Sequence, residues 1–241
     1  TLHLSIVLHV IPQHPGRFAL VLLNQTACFG PALLLGAHGV CLHFLHCTAG
    51  LCCKLLLFQP DFIGFGRSDK PTEQSDYTYA RHVAWMHDAL IRQLNLQNIT
   101  FFGQDWGGLV GLRLVAAEPH RFARVVVGNT GLPTGDATPN EAFLAWRTFS
   151  REAPVFPIGQ IIKGGCTPAL PADVIAAYDA PFPDDTFKAG ARIFPSLVPA
   201  SADDPARADQ VEAWKVIGAF HRPWLCAFSD SDLCFGAQAV A

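Results

Sequence analysis

Apolar residues at helical spacing open the regular part of the chain. Val83, Met86, Leu90 and Leu94 fall on one face of a helix, and Thr78 precedes them where a hydroxyl can cap a helix start. The asparagine-containing turn at residues 95–98 follows. The pattern therefore predicts a helix over residues 81–94.

The next apolar runs follow strand, helix and strand patterns in turn. Residues 99–102 form a short apolar run before a glycine, residues 106–117 suit a helix that stops before Pro119, and residues 125–127 are a β-branched run. Two strands joined by one helix are typical of a parallel sheet with right-handed crossovers. We therefore predict an α/β fold with a mostly parallel sheet.

The pattern changes again after residue 130. Residues 131–214 read as helices and proline-rich loops without a clear strand, and a strand-like run returns at residues 224–228. Thr138 and Glu141 have the spacing of a capping box, with Pro139 in the first helical turn. We predict an inserted helical lid over 131–214, between a core unit at 61–130 and the end of the core at 215–241.

The front of the chain differs from the rest in composition. Arg17 and Lys54 are its only charged side chains before Asp61, and it holds five of the eight cysteines, namely Cys28, Cys41, Cys47, Cys52 and Cys53. Their spacings match no zinc site, and we interpret them as free thiols. Residues 1–60 are interpreted as an atypical apolar segment in place of the first strands, with one candidate strand at residues 55–58.

Length and charge limit the functional classes. A chain of 241 residues favours one catalytic domain. The 17 basic and 20 acidic residues give a net charge of −3 without a basic stripe, so a nucleic-acid partner is not expected. We expect a cytoplasmic protein; a membrane anchor within residues 18–53 is the disfavoured alternative, because polar residues, proline and glycines interrupt that run.

The most informative motif lies where the predicted strand meets the predicted helix. Residues 103–108 have the small-x-nucleophile-x-small form of a nucleophile elbow, with Asp105 in the place of the nucleophile. A tight turn of this kind lifts the carboxylate above the sheet, at a helix N-terminus that favours an anion. The alternative is that Asp105 only caps the helix.

A carboxylate nucleophile suits displacement at a saturated carbon. It forms an ester that water later cleaves, and it is expected to be ionised near neutral pH without a base. Trp106 could direct its indole N–H at a departing halide, although the alternative is that it only packs in the core. This chemistry needs no cofactor, and we expect no metal.

Several stretches together resemble haloalkane dehalogenases. They are residues 61–71, 76–78, 104–108, 143–146, 178–184 and 230–232. The resemblance implies an α/β-hydrolase fold with a helical lid, acting on a small halogenated alkane and water. Carried over residue by residue, it makes Asp105 the nucleophile, Trp106 and Trp146 the halide donors, and Asp232 the acid that orients the base.

Two of these assignments have alternatives in the residues themselves. Phe143, Trp146 and Phe149 form an apolar helical stripe, a pattern more typical of core packing. Asp230 competes with Asp232 for the acid, and either could simply form a turn. Asp232 is preferred.

The chain also departs from the family pattern. No histidine follows His221, and His221 precedes Asp232, whereas the family's base follows the acid. His38 and Gly39 lack the proline of the family's His-Gly-x-Pro turn. We therefore expect an incomplete enzyme that lacks the last strand and helix. The alternatives are an epoxide hydrolase, which would need lid tyrosines where only Tyr178 is available, and a non-catalytic remnant. The oligomeric state does not follow from the sequence.

Overall fold

The computed structural model describes the backbone of residues 5–10, 18–24, 33–34 and 40–46, and residues 54–166, 169–229 and 232, with side chains from Phe58 onward. The His38-Gly39 turn, the side chains of the five front cysteines, and Asp230 lie outside the described residues. Within the described part, no helix is both long and apolar enough to cross a membrane.

The predicted strand, helix and strand unit is present. Strand β6 (Ile99–Gln104) leads into helix α2 (Trp106–Ala117), and strand β7 (Phe122–Gly128) lies parallel to β6. Strand β8 (Trp224–Cys226) pairs with β7 in parallel. The carboxyl ends of these strands therefore meet at one edge of the sheet, where active sites of open α/β sheets form.

Five strands come from the front of the chain, where the pattern predicts only one. They are β1 (Ser5–Val10), β2 (Phe18–Asn24), β3 (Leu33–Leu34), β4 (Val40–His46) and β5 (Lys54–Pro60). The strand order is β3-β4-β5-β1-β2-β6-β7-β8, and β1 and β4 run antiparallel to their neighbours. Uncharged runs without alternation do not distinguish a strand from other buried segments, which explains why the sequence left these strands unassigned.

Helix α1 (Tyr79–His87) confirms the first predicted helix and its cap. The Thr78 hydroxyl accepts a hydrogen bond from the Arg81 N–H at 3.1 Å. The helix continues as a π-helical turn to Gln93, and the chain then turns through Asn95 and Asn98, both at positive φ.

Five helices follow β7 and precede β8. They are α3 (Glu141–Glu152), α4 (Ile158–Gly164), α5 (Ala172–Asp179), α6 (Ala189–Ile193) and α7 (Arg207–Gly218). The predicted capping box is wrong: Asn140, not Thr138, caps α3, and its Oδ1 accepts from the Phe143 N–H at 2.8 Å. Asn140 is the residue whose extended backbone directly precedes the first helical turn, which is the geometry a cap requires.

Helices α1 and α7 both pack on α2. The Tyr79 hydroxyl donates to the Leu109 carbonyl at 2.5 Å and accepts from the Gln210 amide at 3.1 Å, which joins all three helices. At the edge of this contact, Arg113 pairs with Asp209 at 2.6 Å. Helix α7 is thus fixed to α1 and α2 by a buried hydrogen bond and an ion pair.

The crossing of β6 and α2 depends on one ring and two glycines. Phe101 is fully buried, and its ring fills the space that a Cβ at Gly103 or Gly111 would need. The absence of side chains at these two positions allows the helix to lie close to its strand. This close packing places the start of α2, and with it Asp105, directly above the end of β6.

Candidate active site

Asp105 lies in a strained turn between β6 and α2. Its φ of 50° is in the region that L-residues rarely adopt. The turn is fixed from β7: the Asp105 N–H donates to the Asn129 carbonyl at 3.0 Å, and the Thr130 hydroxyl donates to the Asp105 carbonyl at 2.7 Å. Thr130 also occupies the space that a Cβ at position 108 would need, so the elbow requires Gly108. Strain held by its surroundings in this way is typical of functional sites.

The Asp105 carboxyl is less acidic than the sequence suggests. Burial raises the pKa of Asp105 to about 7; the adjacent N–H of Trp106 opposes this shift, and the negative charge of Asp232 adds to it. Ionisation of Asp105 near neutral pH is therefore less complete than for an exposed carboxyl, because desolvation disfavours the charged form, and the sequence does not show desolvation. Asp105 does occupy the N-cap position of α2, but its side chain makes no capping hydrogen bond.

The four predicted site residues lie around one cavity of about 300 Å³. Asp105, Trp106, Trp146 and Asp232 all line it. The other lining side chains are mostly apolar and come largely from the lid, and they include Phe143, Phe156, Ile158, Ile161, Ile162, Ala177, Phe182, Phe194 and Val198. The cavity is at the small end of the range for ligand pockets, and its polar groups are few.

Trp106 is both packed and exposed to the cavity. Its ring lies 5.4 Å from Tyr79 and 4.4 Å from Phe194, measured between ring centroids. No described residue accepts a hydrogen bond from its indole N–H, and the same holds for Trp146. In contrast, Trp214 donates to the Leu132 carbonyl at 2.8 Å. The two indoles of the cavity thus retain donors for a ligand.

Trp146 projects from the lid helix α3 into an aromatic group. Its ring stacks on Phe149 and Phe156, with centroids 6.0 and 5.9 Å away. The predicted stripe is not a core: Phe143 lines the cavity and Phe149 is 42% exposed. Sequence periodicity identified the stripe but not what it faces.

Arg192 on α6 holds this part of the lid. It donates to the carbonyls of Ser150 and Ala153, at 3.3 and 2.9 Å, and its guanidinium lies 4.9 Å from the centre of the Phe156 ring. Both carbonyls lie at the C-terminal end of α3, where a cation is favourable. Arg192 therefore joins α6 to the helix that carries Trp146.

The segment that carries Asp232 is tied to β7. Ser229 forms two backbone hydrogen bonds with the Asn129 side chain, and Asp232 is partly buried at the cavity. The competing residue, Asp230, lies outside the described residues. Asp232 is thus brought close enough to Asp105 for its charge to raise the Asp105 pKa.

No histidine lines the cavity among the described residues. His221 is exposed and precedes β8, so it lies at the opposite end of that strand from Asp232, as the sequence indicates. His82 is fully buried, and neither ring nitrogen has a hydrogen-bond partner within the described ranges. Rings of Phe62, Tyr77, Trp85, Trp106 and Phe194 surround it, and burial lowers the pKa of His82 to about 3.

Sequence reasoning assigned no site role to four residues that line the cavity. Gln104 and Asn129 line the cavity at the ends of β6 and β7, and Asn129 has a φ of 40°. Their position at the carboxyl end of a strand or directly after it was the available signal. Phe65 and Gly66 form another wall, where the buried Asp61 carboxylate accepts the Arg67 N–H at 3.0 Å. Burial raises the pKa of Asp61 to about 6.

Comparison with known proteins places this geometry in a family context. Residues 56–239 match the family model for the alpha/beta hydrolase fold. A haloalkane dehalogenase of Psychrobacter cryohalolentis is 56% identical over 173 residues, which are 72% of this chain and 57% of that protein. A haloalkane dehalogenase of Mycolicibacterium paratuberculosis is 48% identical over 177 residues, 73% of this chain and 58% of that protein.

A solved structure with a similar fold is also a haloalkane dehalogenase. The tetrameric haloalkane dehalogenase DpaA from Paraglaciecola agarilytica is similar with a TM-score of 0.69 and 32% identity, over 77% of this chain and 61% of that chain. The chain spans about three fifths of the length of the curated relatives above. The predicted fold class and the resemblance to haloalkane dehalogenases are confirmed.

Proposed function

The chain belongs to the α/β hydrolase family, and from this membership we propose that it displaces halide from small haloalkanes through an ester on Asp105. One observation carries the proposal: a carboxylate on a strained elbow and two indoles, whose N–H groups have no acceptor among the described residues, line the same small apolar cavity. Relatives named haloalkane dehalogenases support the choice of substrate class.

The first half-reaction uses only groups in the cavity. An Asp105 oxygen attacks the carbon that bears the halogen, the carbon–halogen bond breaks, and the halide leaves with the bonding electrons. The indole N–H groups of Trp106 and Trp146 donate to the departing halide, where negative charge develops. The apolar lining favours an alkyl chain and excludes competing water.

The second half-reaction hydrolyses the ester. Water must lose a proton as it attacks the ester carbonyl, and general-base help typically contributes roughly 100- to 10,000-fold. Asp232 is the proposed acid that orients the base. No histidine lines the cavity among the described residues, and we therefore propose that the ester on Asp105 forms faster than it is hydrolysed.

The alternatives differ in what they require of the cavity. An epoxide hydrolase would need tyrosine hydroxyls beside the nucleophile, and Tyr178 is the one tyrosine among the described lining residues. A non-catalytic remnant would leave the Asp105 carboxylate unreactive. The paired indoles favour a halide over both.

The proposal is tested by exposing the 241-residue chain to 1,2-dibromoethane. We expect about one equivalent of bromide and a bromoethyl mass adduct on the peptide that contains Asp105. Asp105→Asn should give neither, because an amide is a poor nucleophile. Folded protein that yields no bromide and no adduct would contradict the proposal in favour of a non-catalytic remnant.

The halide site is tested separately by iodide titration of tryptophan fluorescence. Trp146→Phe should weaken the response, since one donor is lost while a ring of similar shape remains. Trp214→Phe is the matched control, because the Trp214 N–H is already bonded to Leu132. If iodide changes the fluorescence of wild type and Trp146→Phe equally, Trp146 does not bind halide and only packs against its neighbours.

A further inference from the structure

Tyr178 differs from Tyr77 and Tyr79 in that its hydroxyl has no hydrogen-bond partner in the part of the chain that the structure describes. The Tyr77 hydroxyl donates to the Pro71 carbonyl at 2.7 Å, and the Tyr79 hydroxyl bonds to both Leu109 and Gln210. The Tyr178 hydroxyl forms no hydrogen bond with any described residue, yet this side chain lines the cavity. It is a polar group that a bound molecule can reach.

Helix α5 holds Tyr178 on a rigid wall. The next residue, Asp179, accepts the Gly159 N–H at 2.8 Å through Oδ1 and so ties α5 to the start of α4. A Cβ at Gly159 would lie 2.5 Å from Asp179 Oδ2 and 2.6 Å from the Ile175 carbonyl, so the two helices approach as closely as glycine allows. The position of Tyr178 is therefore set by packing.

The wall around Tyr178 is otherwise apolar. Its neighbours along the cavity on α4 and α5 are Ile158, Ile161, Ile162 and Ala177. Burial raises the pKa of Tyr178, and the nearby Cys166 acts in the same direction, so the phenol remains a donor over the working pH range. A substrate that fills this space must replace the water on the hydroxyl or leave it unpaired.

We propose that Tyr178 is a specificity-determining residue that selects haloalkanes bearing an oxygen acceptor, such as ethers and alcohols, over plain haloalkanes of equal length. The inference rests on the proposed function and adds to it the class of substrate. A plain alkyl chain desolvates the hydroxyl without compensation, whereas an ether oxygen accepts its proton in a hydrogen bond.

The test compares two bromides of the same shape, 2-bromoethyl methyl ether and 1-bromobutane, in which an oxygen replaces a methylene. The rate of adduct formation on Asp105 is followed by mass spectrometry for wild type and Tyr178→Phe. We expect the ether-to-butane rate ratio to fall roughly fivefold in Tyr178→Phe, the loss of one ordinary hydrogen bond, while the 1-bromobutane rate does not fall. Tyr77→Phe, whose hydroxyl bonds elsewhere, should keep the wild-type ratio.

The outcomes separate this inference from the proposed function. Adducts from both bromides with the same ratio in wild type and Tyr178→Phe would overturn the role of Tyr178 and leave the proposed function in place. No adduct from either bromide would overturn both. If Tyr178→Phe does not fold, the reference is the reaction of free acetate with the same two bromides. An ether-to-butane rate ratio that is the same for the wild-type protein as for acetate overturns the inference.

Discussion

The side-chain amide of Asn129 pairs with the backbone of Ser229 on both sides: Oδ1 accepts the Ser229 N–H at 3.0 Å, and Nδ2 donates to the Ser229 carbonyl at 3.5 Å. The Asn129 carbonyl accepts from the Asp105 N–H. One residue thus links the turn that carries Asp105 to the segment that leads to Asp232. Its positive φ is one that asparagine tolerates better than most residues.

Asn129→Gly removes this pairing while keeping the backbone conformation accessible. We expect the free energy of unfolding to fall by roughly 1–2 kcal/mol, measured by urea denaturation. Because Asp232 is then less well held, its effect on the Asp105 pKa should weaken, and the midpoint of the pH profile for alkylation should move to lower pH. An unchanged stability and midpoint would show that Asn129 only lines the cavity.

The raised pKa of Asp105 predicts a pH-dependent first step. Only the carboxylate attacks, so the alkylation rate should rise with pH, reach half its maximum near pH 7, and level off above pH 8. The measurement is the rate of bromide release under single-turnover conditions from pH 5 to 9. Asp61→Asn is the control and should keep the wild-type midpoint. Its carboxyl also has a raised pKa, of about 6, but takes no part in the proposed reaction. A flat profile would mean that Asp105 is ionised throughout.

Arg192→Met should loosen the lid helix that carries Trp146. The change removes two hydrogen bonds to the end of α3 and the contact with the Phe156 ring. We expect alkylation to slow roughly tenfold, since displacements of about 1 Å can cost that much or more. Arg192→Lys should recover part of the rate. Arg151→Met, which removes an exposed arginine paired only with Glu152, should have no effect. An equal loss in the Arg151 variant would reject the role of Arg192.

His82 predicts a pH-dependent difference in stability. Its folded pKa of about 3 lies below the unfolded value of about 6.5, so between these values the unfolded chain binds the proton and the folded chain does not. Well above pH 6.5 the ring is neutral in both states, and His82 does not lower the free energy of unfolding. Below pH 6.5 protonation of the unfolded chain lowers the free energy of unfolding by up to about 1.4 kcal/mol for each pH unit. Asp61 and Asp105, with raised pKa values, act in the opposite direction, so the total profile does not isolate His82.

Comparison of the wild type with His82→Leu isolates the effect of His82 on the free energy of unfolding. The difference in free energy of unfolding, variant minus wild type, should increase as the pH is lowered from 7.5 to 5, whatever constant packing cost the leucine adds. The measurement is chemical denaturation of both proteins at each pH. A difference that does not change with pH would show that the folded His82 ring is protonated as readily as in the unfolded chain.

Local signals allowed much of this fold to be predicted. The elbow, the α1 cap at Thr78 and the β6, α2 and β7 unit each depend on residues close in sequence, where periodicity and turn chemistry act directly. The placement of Asp105 and Trp106 at this elbow was predicted for the same reason, and their chemical roles remain predictions.

Features that depend on distant contacts were not predictable. Asn129 acts through Ser229, 100 residues away, and the Asp105 pKa depends on burial and on the charge of Asp232. The proposed halide-donor role of Trp146 came from family resemblance, because a helical aromatic stripe does not show whether it faces a core or a cavity. The α3 cap was misassigned since Thr138 and Asn140 are both capping residues, and the choice depends on where the backbone turns.

The close crossing of β6 and α2 means that positions 101, 103 and 111 cannot vary independently. Alanine at 111 would meet the Phe101 ring, so it should be strongly destabilising alone and much better tolerated beside a smaller residue at 101. Such positions are epistatic, and the order of substitutions matters: the ring must shrink before the glycine can gain a side chain. Libraries that diversify the elbow should therefore vary these positions together, because single-site scans would score acceptable combinations as lethal.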